Sequence, residues 1–402
     1  MPEERKSLLD RIRHFTPSWF AVTMGTGVVG ILIYNLPYGN DKARHLVSLA
    51  FLILNSVLFA AFTLISALRY IIFPGIWSLM IREPTQSLFL SCFPMSLSTV
   101  ISASISLSLH RDIPGLIPFL WILWWINVML SMLSGIGLPY LMITRHKLQW
   151  EHHNATWLLP VVPNIVCASC GGVFTNALID SDPYKAKLTV ATSLMILAMG
   201  LCTSIMIATT YVFRLFAHGF PSAGLVVSLL IPLGPCGQGG YALLLLSNHL
   251  ATLSSSLGID GAFYGKVFIV LGASGALTLW SIGLWFGIIA TIGLVEAAIR
   301  YRIPFRINYW GTIFPTGVYS LLTMQLGHNL DVSFFRIIGT IFSTITGLLW
   351  LGIAIKTCYH TFEGSIFHAP CLDDTPNTRP WRKHSPEDTQ VELTQVNGGQ
   401  QL

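Results

Sequence analysis

Charge is what this 402-residue sequence has least of: 10% of its residues are Asp, Glu, Lys or Arg, against roughly a quarter in soluble domains. With 53% hydrophobic residues and a mean hydropathy of +0.64, water is excluded as the main solvent. Long apolar blocks divided by short polar joints take the place of domain-sized units. The seven cysteines are odd in number and lie mostly inside apolar runs, which excludes a disulfide-stapled secreted framework and predicts free thiols. The first residues, MPEERKSLLDRIRHF, lack the basic, apolar and small-residue order of a cleaved signal peptide. No Asp, Glu, Lys or Arg stands in the middle of an apolar block, so the carboxylate relay common in proton-driven carriers is missing.

What is present is a series of ten apolar runs, at approximately 17–38, 46–72, 91–109, 116–143, 157–179, 188–213, 224–249, 267–295, 310–328 and 333–356. They predict an all-α polytopic membrane protein with a 1–16 cytosolic amphipathic N-terminus, a 17–358 transport domain and a 359–402 disordered, polar cytosolic tail. An even span count puts both termini on one side. Only Lys42, Arg44, Arg111, Lys185, Lys187, Lys266 and Arg336 of the 23 basic residues fall on the other, so the positive-inside rule predicts cytosolic termini. The formal net charge of +5 therefore reports topology, and no nucleic-acid partner is expected. The sequon Asn154-Ala155-Thr156 lies on the inside and is read as unused.

The odd runs share a pattern. Pro17, Pro94, Pro163, Pro235 and Pro315 recur at intervals of 77, 69, 72 and 80 residues, each near the start of a run and followed by small and hydroxyl residues. A membrane helix tolerates proline where neighbours or water satisfy the freed backbone, so these prolines are expected to kink helices turned toward protein or water. The even runs are greasier and suit a lipid-facing ring. The expected architecture is five tandem helical hairpins, with the odd helices forming an inner ring around a pore. Thr23, Thr26, Ser96, Ser98, Thr99, Asn164, Ser169, Gln238, Thr316, Ser320 and Thr323 would line it with weak, neutral donors. His110, His249 and His328, at the outer ends of spans three, seven and nine, are candidates for a cationic outer mouth against the reading of ordinary interfacial histidines.

Other signals are weighed and set aside. Cys167 and Cys170 have redox spacing but lie inside a span, His152-His153 has no third ligand at metal spacing, and Gly25, Gly27 and Gly30 lack the strand of a nucleotide loop. No cofactor and no metal are expected. Gly283 and Gly287 form a GxxxG suited to an inter-helix or protomer contact. Clustered catalytic side chains and a large exposed domain are both missing, which argues against a membrane enzyme or receptor.

PSWFAVTMGTG in the first span, the dipeptides Phe93-Pro94 and Phe314-Pro315, and the five proline-marked hairpins resemble the tellurite-resistance/dicarboxylate transporter family, which includes plant slow anion channels. The resemblance covers roughly residues 15–358. SWFAVTMGTG and NYWGTIFPTGVYSLLTMQLG look most like its fungal, sulfite-exporting plasma-membrane branch. It implies a homotrimer in the lipid bilayer, each protomer with its own pore, and a phenylalanine plug before the ninth helix's proline. Phe314 matches that position and Phe93 is its counterpart in the second hairpin. The implied activity is sulfite or bisulfite efflux driven by membrane potential, conferring sulfite resistance. A malate carrier is the alternative, against which the lack of central Arg or Lys counts.

Overall fold

A computed structural model describes residues 7–108, 115–146, 150–222, 224–254, 260–301 and 305–372. The described residues are helical or irregular, with no strand among them. The short helix α1 (Leu8–Arg13) is capped by Ser7, whose hydroxyl accepts from the Asp10 amide. It is followed by α2 (Phe20–Asn35), α3 (Asp41–Ile72), α4 (Gly75–Arg82), α5 (Cys92–Ser108), α6 (Leu116–Thr144), α7 (Val162–Leu178), α8 (Pro183–His218), α9 (Leu233–Ser254), α10 (Gly261–Arg300), α11 (Ile313–Asn329) and α12 (Ser333–Glu363).

Eight of the described helical stretches are long and apolar enough to cross a membrane. The ten expected runs are reduced by α7 and α11, each of 17 residues. The 3₁₀ turn Ala155–Leu158 stands apart from α7, whereas Ile307–Thr312 abuts α11 and brings the polar Asn308, Tyr309 and Thr312 into its run. By contrast α10 has 40 residues, far longer than a perpendicular span needs.

Burial divides the helices into two sets. In α2, α5 and α9 the most apolar windows are 72% to 89% buried, whereas in α3, α6, α8, α10 and α12 they are 17% to 33% buried. The second set exposes rows of large apolar side chains, such as Ile122, Met129, Leu133 and Ile136 of α6. Such a surface is stable only against lipid hydrocarbon. The buried helices pack in sequence, α2 on α5, α5 on α7, α7 on α9 and α9 on α11, and α11 returns to α2.

Each buried helix begins in the same way. A 3₁₀ segment (Pro17–Trp19, Ser87–Ser91, Ala155–Leu158, Val226–Leu230 or Ile307–Thr312) precedes α2, α5, α7, α9 or α11. Pro17 lies in the first of these segments, while Pro94, Pro163, Pro235 and Pro315 occupy the first turns of their α-helices. These are the five prolines expected to kink their helices. In a first turn the missing proline N–H has no intrahelical partner to lose, so proline starts these helices instead of bending them.

Gly283, expected at an inter-helix or protomer contact, faces inward: a Cβ there would lie 2.5 Å from the Tyr319 ring. All seven cysteines are free.

Candidate functional site

Two cavities lie inside the helix ring. The first, of about 40 Å³, is lined at the start of the helices by Ala21 and Met24 of α2, Cys92 and Met95 of α5, Leu159 just before α7 and Val162 at its start, Ser228 before α9 and Gly234 in its first turn, and Phe314 and Pro315 of α11. The second, of about 30 Å³, lies further along and is lined by Val28, Ser98, Thr99, Ser102, Ser169, Gln238, Tyr241 and Phe314, among others. Among the described residues neither lining contains an Asp, Glu, Lys or Arg. Among the described residues Phe314 is the one that lines both. Phe314 is 3% exposed and stands with Pro315 in the first turn of α11.

Of the hydroxyl and amide residues expected along the pathway, Ser98, Thr99, Ser169 and Gln238 meet at the second cavity. The Gln238 side-chain amide donates to Ser169 Oγ, and its Oε1 is buried without a partner. The others turn toward neighbouring helices or bond to their own. Thr26 accepts from Trp350 Nε1 at 3.1 Å and Thr323 from Trp280 Nε1 at 3.0 Å, so both face lipid-side helices. Thr23 donates to Ser96 Oγ at 2.8 Å, tying α2 to α5. Asn164 faces α6, since a Cβ on Gly135 would lie 2.5 Å from its Nδ2. Thr316 and Ser320 donate back to their own helix. A hydroxyl in a bundle lowers its energy equally well on a backbone carbonyl, which is why type and spacing alone did not place them.

Phe93 lies away from both cavities, packed edge-on against Phe20 with centroids 5.1 Å apart and tilted against Phe59 at 5.2 Å. His249 is buried, with Nε2 2.9 Å from the Gly172 carbonyl, so it joins α9 to α7 instead of forming a mouth. His328 is exposed near the end of α11, and His110 lies outside the described residues. The sequon is closed: buried Asn154 accepts from the Thr156 amide at 3.0 Å and its hydroxyl at 2.6 Å.

Sequence reasoning missed several features. Arg69 and Arg214, counted only as inside charges, are buried clamps. Arg69 donates to the Arg13 carbonyl at 2.9 Å, and Arg214 to the Glu151 and Gly219 carbonyls at 2.9 and 2.6 Å. His153 is buried against Trp157 and Tyr211. Burial, helped by the positive Arg214, lowers its pKa from 6.5 to about 4. The folded state then binds fewer protons than the unfolded chain between those values, so stability is full above about pH 6.5 and falls as pH drops toward 4. Thermal unfolding in detergent at pH 7.5 and 4.5 is expected to show a larger loss for the wild type than for His153→Phe. Asn55 and Asn127, on greasy helices, were also missed, although an amide in an apolar run is itself a sign of an inward partner.

A lipid-facing coat around charge-free internal cavities defines a membrane transport protein. Residues 14–358 match the family described as voltage-dependent anion channel, and the chain belongs to that family. It is 32% identical to the sulfite efflux pump of Trichophyton rubrum over 359 residues, covering 89% of this chain and 93% of that one. It is 25% identical to the sulfite efflux pump of Candida albicans, covering 95% of this chain and 80% of the relative. The malic acid transport protein of Schizosaccharomyces pombe is 23% identical, with 86% and 78% covered.

Proposed function

We propose that this protein carries sulfite or bisulfite out of the cell through a pore enclosed by α2, α5, α7, α9 and α11, with Phe314 as its plug. The observation carrying this reading is that two uncharged cavities, lined by all five helices, meet at one phenylalanine. With α7 and α11 counted together with their preceding turns, the chain makes ten spans in five hairpins, with both termini cytosolic, in the plasma membrane. Protomers associate as trimers. The five inner helices then all enter from the cytosol, so their N-terminal dipole ends favour an anion at the inner mouth without a fixed cation. Each elementary charge crossing 100 mV gains about 2.3 kcal/mol, which expels an anion from a negative cytosol. Malate is the second reading, favoured by the malic acid transport relative. Two carboxylates would be better served by a fixed Arg or Lys, and neither cavity has one.

Reconstitution in liposomes, with sulfite, nitrate, chloride and malate offered in turn at a set potential, tests the reading. Sulfite flux is expected to track the potential and to persist when the proton gradient is collapsed at fixed potential. Loss on collapse would point to a coupled carrier. For topology, single cysteines at positions 42, 183 and 260 are expected to react with an impermeant reagent from outside, and those at 147 and 302 only after permeabilisation; the reverse pattern overturns the orientation.

A further inference from the structure

We propose that Ser98 is the hydrogen-bond donor by which the second cavity selects an oxyanion over a halide, and that Asn127 is the positioning residue that turns its hydroxyl hydrogen toward the passing ion. The inference rests on the transport reading above and adds to it a discriminating group on α5 and a supporting one on α6.

Ser98 and Thr99 are consecutive on α5, both line the second cavity, and both are almost fully buried. Each receives an amide hydrogen from a lipid-side helix. Asn127 Nδ2 of α6 donates to Ser98 Oγ at 2.7 Å, and Asn55 Nδ2 of α3 donates to Thr99 Oγ1 at 3.1 Å. Both asparagines are 0% exposed. The two pairs differ in where the hydroxyl hydrogen goes. Thr99 donates to the Ser96 carbonyl at 2.7 Å. The same local bond ties up Ser169, on the Val166 carbonyl at 2.8 Å, and Ser106, on the Ser102 carbonyl at 3.0 Å. Ser98 accepts from Asn127, and its hydrogen has no acceptor among the described residues.

A hydroxyl that accepts an amide hydrogen keeps its own hydrogen off that axis, and donation from the amide polarises it into a better donor. In a cavity without fixed cations, such a donor replaces part of an anion's hydration without trapping it. An O–H donor aligned on a charged oxygen makes a short, strong bond, so a sulfite oxygen gains more from one directed hydroxyl than a spherical halide does. The Asn55–Thr99 pair has a different setting. A Cβ added to Gly27 of α2 would lie 2.3 Å from Thr99 Oγ1 and 2.6 Å from Asn55 Nδ2, so this pair is pressed into a three-helix junction and serves packing.

The test measures the sulfite-to-chloride permeability ratio from reversal potentials of the full chain in liposomes, with folded protein quantified separately. Ser98→Ala is expected to lower the ratio about tenfold, the size of effect of one hydrogen bond to a charged group. Asn127→Leu lowers it about threefold, and combining the two changes adds nothing to Ser98→Ala alone, because Asn127 acts through Ser98. Asn55→Leu, which removes an equivalent amide, leaves the ratio within twofold while reducing folded yield. An unchanged ratio in Ser98→Ala overturns the proposal, as does an equal shift in Asn55→Leu and Asn127→Leu. Should Ser98→Ala fail to reach the membrane, that last comparison decides the matter. A wild-type protein that moves neither ion removes the transport reading and this inference together; one that conducts sulfite while the variants match it removes the inference alone.

Discussion

Replacing Phe314 with alanine is expected to raise anion flux per folded protomer roughly tenfold, corresponding to about 1.4 kcal/mol off the barrier. Among the described residues Phe314 alone is shared by the two cavities, and it belongs to one apolar cluster with Met24 and Met95 of the first lining and Val28, Val166 and Val318 of the second. A hydrated anion cannot shed its water onto hydrocarbon, so an apolar constriction of this kind holds ions back by dewetting. Alanine removes the ring and joins the cavities into one wet path. Were Phe314 simply a packed side chain, the same change would cost roughly 3 to 5 kcal/mol of stability and lower the amount of folded protein without raising flux. Anion current normalised to surface-labelled protein separates the two outcomes. Phe93→Ala is the comparison: it empties an aromatic cluster with Phe20 and Phe59 and is expected to lower yield with no gain in flux.

Gly237→Ala is expected to abolish most folded protein. A Cβ at Gly237 would lie 2.6 Å from the backbone nitrogen of Tyr319 and 2.7 Å from its Cα. These are backbone atoms of α11, which cannot rotate away as a side-chain tip could, so α9 and α11 must separate along their contact. Overpacking a close-packed core costs typically 1 to 3 kcal/mol, and here the strain falls on a joint of the helix ring. Gly347→Ala, on lipid-side α12 with nothing within 4 Å of its added Cβ, is the control. It should be neutral or slightly stabilising, because alanine is the better helix former. Detergent-solubilised yield and thermal unfolding of the two variants measure the contrast. Comparable losses in both would mean that the α9–α11 approach is not as tight as the geometry makes it.

These two sites show which kinds of information a linear sequence carries. Phe314 stands beside a proline that repeats through the chain, and the recurrence of Pro17, Pro94, Pro163, Pro235 and Pro315 marked the buried helices without any coordinates. Gly237 gave no such signal: GPCGQGG contains four glycines, and only the packing of α9 on α11 singles out the one whose hydrogen touches backbone. Phe93 had the same Phe-Pro signature as Phe314. What separates them is azimuth around their helices, which turns one ring toward the axis and the other into the Phe20–Phe59 cluster.

The sequence by itself determined the class of solvent, the helical architecture and the inner and outer roles of the helices. Each of those follows from composition and from the spacing of apolar residues and prolines, quantities summed over many positions. The length of α7 and α11, the place of each proline in a first turn and the partners of single hydroxyls were decided only in the tertiary structure. Thr26 and Ser98 are chemically similar residues on neighbouring buried helices, yet one accepts a hydrogen from Trp350 and the other sits at a cavity wall, held by Asn127. A hydroxyl can satisfy itself on its own backbone, on a neighbouring helix or on a passing ion at similar free energy, so the choice is made by whatever the fold brings within 3 Å of it.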